Sequence, residues 1–147
     1  MSEHTNQAAR RIRIAAALIM RSDGATLLVR KKGTDCFMQA GGKIDAGEQP
    51  LQALARELCE ELSIQPTLAE FQTLGRHTAP AAHEPEAVVC ADLFLLRADQ
   101  AVAPASEIEE CIWLEPGKHI AIAMAPLTQD IVIPLWRHIL KQDAEKQ

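Results

Sequence analysis

The chain has 147 residues, 48% of them hydrophobic and 24% charged, with a net charge of −5 at pH 7. That length suits one domain with a sizeable core, and the acidic balance argues against a broad nucleic-acid or anionic-membrane surface, which needs a basic face. Aromatic residues make up 3% and Tyr is absent, so no stacking platform for single strands is expected, while a free nucleotide held at a local metal site stays open.

Residues 1–10 read as a loose polar tail and 11–143 as a single domain. Residues 12–21 are rich in Ala and Ile and predict a buried strand. Ser22-Asp23-Gly24 is a turn signal and 26–29 resume a strand, so the two read as a hairpin. Arg30, Lys31 and Lys32 follow, and a solvated strand end and contact with a substrate phosphate are equally good accounts of them. Residues 33–39 predict a loop whose Phe37 packs over Gly41-Gly42, glycines that let the backbone approach a ligand closely. A second loop, 43–50, leads into a helix over 49–62, with Pro50 in the first turn where its missing N–H costs nothing. Ser63 stands where a helix-ending glycine would take left-handed dihedrals.

Residues 67–78 predict a strand with a kink or bulge at Gly75. The Pro-rich loop 77–86 carries His77, His83, Glu84 and Glu86. Residues 87–97 predict a strand that pairs with the preceding one. After a loop over 99–106 comes a short strand, 111–114. A helix over 126–142 closes the chain, with Leu127, Ile131, Leu135 and Ile139 on one side and Pro134 dividing it. The order β-β-loop-α-β-β-β-α gives the α/β class, a mixed sheet between helices. No apolar run reaches the 18 or so residues of a membrane span, and the run at 14–20 is too short for a signal sequence, so a cytoplasmic location and no membrane partner are expected. Cys36, Cys59, Cys90 and Cys111 show no C-x-x-C spacing and are expected to be small buried thiols.

The helix over 49–62 carries the chemistry. Leu51, Leu54, Ala55, Leu58 and Leu62 form an apolar stripe. Glu57, Glu60 and Glu61 crowd onto an adjacent face at spacings of three and four, where like charges repel. A helix that needed only solubility would mix in Lys or Arg. Hard divalent cations such as Mg2+ take carboxylate oxygens and share them with water and substrate phosphates, so the pattern predicts a Mg2+ site at the helix edge.

The stretch 42–64 resembles the Nudix box, G-x5-E-x7-R-E-U-x-E-E-x-G-U with U aliphatic. Gly42, Glu48, Arg56, Glu57, Leu58, Glu60, Glu61 and Ile64 occupy its fixed positions, and Ser63 replaces the second Gly. A solvated Glu cluster alone would not explain Gly42, Glu48 and Arg56 at those offsets. The resemblance implies the Nudix fold, an α/β/α sandwich with a mixed sheet. It implies Mg2+-dependent hydrolysis, with Mn2+ as the alternative ion, of a pyrophosphate bond in a nucleoside diphosphate derivative. It also implies roles. Glu57, Glu60 and Glu61, with the carbonyl at Gly41, would hold metal; Glu57 is also a candidate base. Arg56 would orient a box glutamate, and Glu48 would support the site. Arg30 is the best match to an arginine that meets substrate, beside Gly42 and Lys43. Glu107 is the first candidate for an acidic group recruited from outside the box, with Glu84 and Glu86 second.

Small size and similarity to the MutT-like branch favour a (d)NTP or related nucleotide as the small-molecule partner. Relatives that read an oxidised guanine use an Asn near the start of the last helix. Here that region is Pro126-Leu127-Thr128-Gln129-Asp130, which argues against that substrate. Relatives are often homodimers, so a second copy is the other partner the resemblance allows. The competing account is a non-catalytic nucleotide-sensing module on the same fold; such modules typically lose box glutamates, and this chain keeps them.

Overall fold

A computed structural model describes residues 10–146. Residues 1–9, most of the expected tail, lie outside the described residues, and Arg10 opens the first strand. The strands are β1 (Arg10–Met20), β2 (Thr26–Lys31), β3 (Phe37–Met38), β4 (Ala40–Lys43), β5 (Phe71–Pro80), β6 (Ala87–Arg97) and β7 (Ile108–Leu114). The helices are α1 (Pro50–Leu62) and α2 (Ile133–Glu145).

β1 is the central element. Its side chains alternate between faces, and both faces are apolar. Ala15, Ala17 and Ile19 join the core under α1, with Leu54, Leu58 and Leu62. Ala16, Leu18 and Met20 join the core under α2, with Trp136 and Ile139. The sheet is thus covered on both sides, the α/β/α arrangement predicted. β1 runs parallel to β6 over its whole length, from Arg10 opposite Ala87 to Met20 opposite Arg97. Parallel neighbours need a crossover, and α1 lies in it. β5 pairs antiparallel with β6, with the expected bulge between Thr73 and Gly75.

The expected β1–β2 hairpin is closed only at its turn, where Met20 faces Thr26. Beyond it β2 leaves β1 and pairs with β7 and β3. The edge of β1 so released is taken by β4, with Ala16 opposite Gly41 and Ala15 opposite Gly42. The glycine pair, between the two predicted loops, is therefore strand, and so are Phe37 and Met38 inside the predicted loop 33–39. A Cβ on Gly41 would lie 2.2 Å from the Ala15 carbonyl oxygen and 2.7 Å from Ala16 Cα, and its φ is +143°, so only glycine fits. Phe37 is in the α2-side core, and its backbone bonds to Ala123 and Ala125.

β7 is longer than its predicted 111–114, because Glu109 and Glu110 hide the alternation and pairing with β2 defines the strand. The C-terminal helical segment is in two pieces that meet just before Pro134, as expected. Thr128–Val132 form a π-helical turn, in which the Ile133 N–H donates to the Thr128 carbonyl, and α2 follows. A wider turn is one way to absorb the hydrogen bond that Pro cannot make. Of the cysteines, Cys90 is buried as expected, but Cys59 is exposed, and Cys36 and Cys111 are half-buried. No described helix is long and apolar enough to cross a membrane.

α1 starts as predicted, with Gln49 as N-cap, Pro50 in the first turn and the Gln52 side chain accepting from the Gln49 N–H at 2.9 Å. It ends with Ser63 at φ 60°, ψ 35°, donating its N–H to the Cys59 carbonyl. A side chain in the left-handed region costs stability that glycine avoids. Ser63→Gly is expected to stabilise the fold by about 1 kcal/mol, seen as a rise of a few degrees in Tm with turnover unchanged.

Candidate active site

Arg56 is the hub of the helix edge. Its Nε and Nη2 form a two-pronged contact with Glu48, each 2.9 Å from a carboxylate oxygen. Nη1 donates to both Glu57 and Glu60 at 3.1 Å, and Nη2 reaches the Lys43 carbonyl at 3.2 Å. One guanidinium thus spaces the box carboxylates and ties them to the end of β4, which its planar fork can do and an ammonium cannot. The Arg56 fork and the Asp45 N–H hold the Glu48 carboxyl down to about 2.

Glu57 and Glu61 are in a different environment. Glu61 is only 3% exposed. Burial pushes its carboxyl up to about 7, against the pull of a 3.0 Å hydrogen bond from the Gly41 N–H. Burial also raises Glu57, with Arg56 acting the other way. The Glu57 carboxylate lies against Gly42, where an added Cβ would come within 2.5 Å of it. The two box-flanking glycines are therefore seats for two glutamates as well as strand residues. Glu60, on the outer side, is exposed.

The donor set is of the type that hard divalent ions take: carboxylates on one helix edge, two of them raised by burial. As placed, no three Asp, Glu, His or Cys side chains among the described residues form a ready cation cage. Arg56 supplies the positive charge to Glu57 and Glu60 instead.

A cavity of about 200 Å³ opens on the other flank of β4, lined by Gly41, Gly42 and Lys43 and by Lys31 of β2. Ile12, Ile14, Met38, Val89 and Leu127 supply its apolar walls. The loop after β5 closes it with His83 and Glu84, whereas Glu86 of that loop and His77, which lies in β5 and not in the predicted loop, do not line it. Glu84 is paired with Arg10, and His77 bonds the Leu74 carbonyl.

Two expected positions shift. Arg30 is bound to Glu110 across the sheet and to the Thr34 carbonyl, and it does not line the cavity. Lys31, the next residue, does line it, and its charge is felt by Glu57 and Glu61. Glu107 is exposed, in a loop whose Ala103 and Ala105 N–H groups cap the Leu62 and Glu61 carbonyls, and its charge helps to raise Glu61. Sequence analysis missed Gln39 and Thr128, which are buried, hydrogen-bonded to each other at 2.8 Å and part of the cavity wall. Gln39 lies in a predicted loop and Thr128 in a polar Thr-Gln-Asp run, so the sequence carries no signal for either.

Against known proteins, a model of the NUDIX domain matches residues 9–135. An 8-oxo-dGTP diphosphatase of Haemophilus influenzae is 43% identical over 64 residues, covering 41% of this chain and 47% of that protein. The chain's match thus spans about half of that relative's length. A CTP pyrophosphohydrolase of Escherichia coli K12 is 29% identical over 122 residues, covering 78% of this chain and 84% of that protein. Among solved structures, a bifunctional NMN adenylyltransferase/ADP ribose pyrophosphatase of Francisella tularensis, complexed with AMP and a Mn ion, superposes with a TM-score of 0.70 at 19% identity over 92% of this chain and 44% of that one.

Proposed function

The chain belongs to the NUDIX domain family, and from that premise we propose that it is a Mg2+-dependent pyrophosphohydrolase of nucleotides, with a nucleoside triphosphate as substrate. The observation that carries the proposal is the double use of β4. Gly41 and Gly42 seat Glu61 and Glu57 and also line the cavity, so a ligand there would present its phosphates beside the carboxylates. The similarity to proteins named for 8-oxo-dGTP and for CTP supports a triphosphate, and the Mn ion in the Francisella structure supports a divalent metal.

In this account the cavity takes the base, and Lys31 and Lys43 at its β4 end meet phosphate oxygens. Glu57, Glu60 and Glu61, with the Gly41 carbonyl, would hold the ion. Mg2+ held there would neutralise phosphate charge and acidify a water for attack on phosphorus. Burial makes Glu57 a better proton acceptor than Glu48, since a raised carboxyl is the stronger base. Glu107 is the candidate for a further acidic group approaching from the loop before β7.

Arg56→Lys tests the hub. A Lys keeps the charge but cannot bridge Glu48, Glu57 and Glu60 together, so turnover is expected to fall about 10- to 100-fold with a smaller change in KM. The reaction itself is tested by phosphate and pyrophosphate release, with and without Mg2+, from the (d)NTPs, 8-oxo-dGTP, ADP-ribose, a sugar nucleotide and a dinucleoside tetraphosphate. Metal-dependent release from a triphosphate is expected. Release from the sugar nucleotide or ADP-ribose alone would overturn the substrate assignment.

A further inference from the structure

Gln39 is 6% exposed, and its side-chain Nε2 is the one buried side-chain nitrogen or oxygen without a hydrogen-bond partner among the described residues. Its Oε1 accepts from the Thr128 hydroxyl at 2.8 Å, and Thr128 is itself fully buried. The contact joins positions 89 apart, between the approach to β4 and the start of the last helical segment. In this arrangement the amide oxygen is used and the NH2 is free. Both residues line the cavity, along with the apolar side chains of Ile14, Met38, Val89 and Leu127. An unpaired buried donor is costly, and a Met or Leu would fill the same space without that cost. A cavity of about 200 Å³ is smaller than the roughly 300–1,000 Å³ of pockets for drug-sized ligands, so it suits one heterocycle rather than a whole nucleotide.

We propose that Gln39 is the specificity-determining residue of this site: its Nε2 donates to a ring carbonyl of the nucleobase, with Thr128 holding the amide in place. This rests on the pyrophosphohydrolase account and names what it leaves open. A donor-only group pairs with an acceptor and rejects an exocyclic amine at the same point. Guanine, cytosine, uracil and thymine each carry a carbonyl, and adenine carries none. The site therefore favours carbonyl-bearing bases over adenine.

The test is equilibrium binding of GMP, CMP, UMP and AMP without metal, alongside turnover of the matching triphosphates with Mg2+. The wild type is compared with Gln39→Met and with the pair Gln39→Met/Thr128→Val. The pair removes both partners at once, which leaves no unpaired group and keeps the fold. The wild type should bind the best carbonyl-bearing nucleotide more tightly than AMP. Both variants should lose that preference by about 10- to 100-fold, with AMP affinity unchanged. The double variant should melt no lower than the wild type. A preference that survives in a folded variant, or a wild type that prefers AMP, overturns the assignment of Gln39 while turnover leaves the broader account standing. A wild type that neither binds nor turns over any nucleotide overturns both.

Discussion

Glu60→Gln is expected to lower metal-dependent turnover by about 10³-fold and to leave the fold intact. The Glu60 side chain is half exposed and its recorded partner is Arg56 Nη1, at 3.1 Å. Gln keeps the shape and an oxygen for that contact, so what is removed is a single negative charge. If the charge serves only as a surface ion pair, it is worth about 1 kcal/mol or less, and turnover changes by under about tenfold. If it holds a catalytic ion, the loss is about 4 kcal/mol of transition-state stabilisation, or three powers of ten. The two cases are separated by kcat/KM at saturating Mg2+, with a thermal melt as the control. A variant that retains more than a fifth of wild-type turnover would remove Glu60 from the metal site.

The second large effect is on stability. Burial holds the Glu61 carboxyl near 7, against an ordinary value of 4.5. Between those values the folded state keeps a proton that the unfolded chain has released. By linkage, the contribution of Glu61 to the stability of the metal-free protein is fully present below about pH 4.5 and is lost as pH rises through 7, by roughly 3 kcal/mol. Glu57, also raised by burial, acts in the same direction. Glu48 acts oppositely in a lower window: the Arg56 contact contributes stability above its ordinary 4.5 that is lost as pH falls toward 2. A bound cation needs the deprotonated carboxylates, so stabilisation by Mg2+ grows with pH. Urea denaturation in EDTA at pH 5 and pH 8 should show the fall, Mg2+ should restore stability at pH 8, and Glu61→Gln should flatten the profile. Equal stability at the two pH values in EDTA would contradict the burial argument.

The parts of this account that were legible in the sequence are those where chemistry demands fixed offsets. The α1 stripe, the spacing of Glu57, Glu60 and Glu61, and Arg56 eight residues after Glu48 come from one helix and one short loop. Ser63 in the left-handed region follows from the same local logic. What was hidden depends on pairing between distant segments. Gly41-Gly42 carry no strand signal until β2 abandons the edge of β1 and leaves it to β4. Arg30 and Lys31 are equivalent in a sequence, and only the fold shows Arg30 held by Glu110 while Lys31 lines the cavity. Gln39 and Thr128 acquire meaning only when the last helix packs over the entry to β4. Glu109 and Glu110 mask the alternation of β7, a strand supported by its neighbour rather than by its own pattern.

The central claim is that the helix edge and the cavity together direct water onto a nucleotide phosphorus. Incubating the protein with its best nucleotide and Mg2+ in 18O-labelled water, then weighing the products by mass spectrometry, tests it most directly. The account predicts one 18O in a phosphate-bearing product of a cleaved pyrophosphate bond, formed only with metal and lost in Glu60→Gln. Nucleotide bound tightly but recovered whole and unlabelled would contradict it, and would make the chain a nucleotide-sensing module instead.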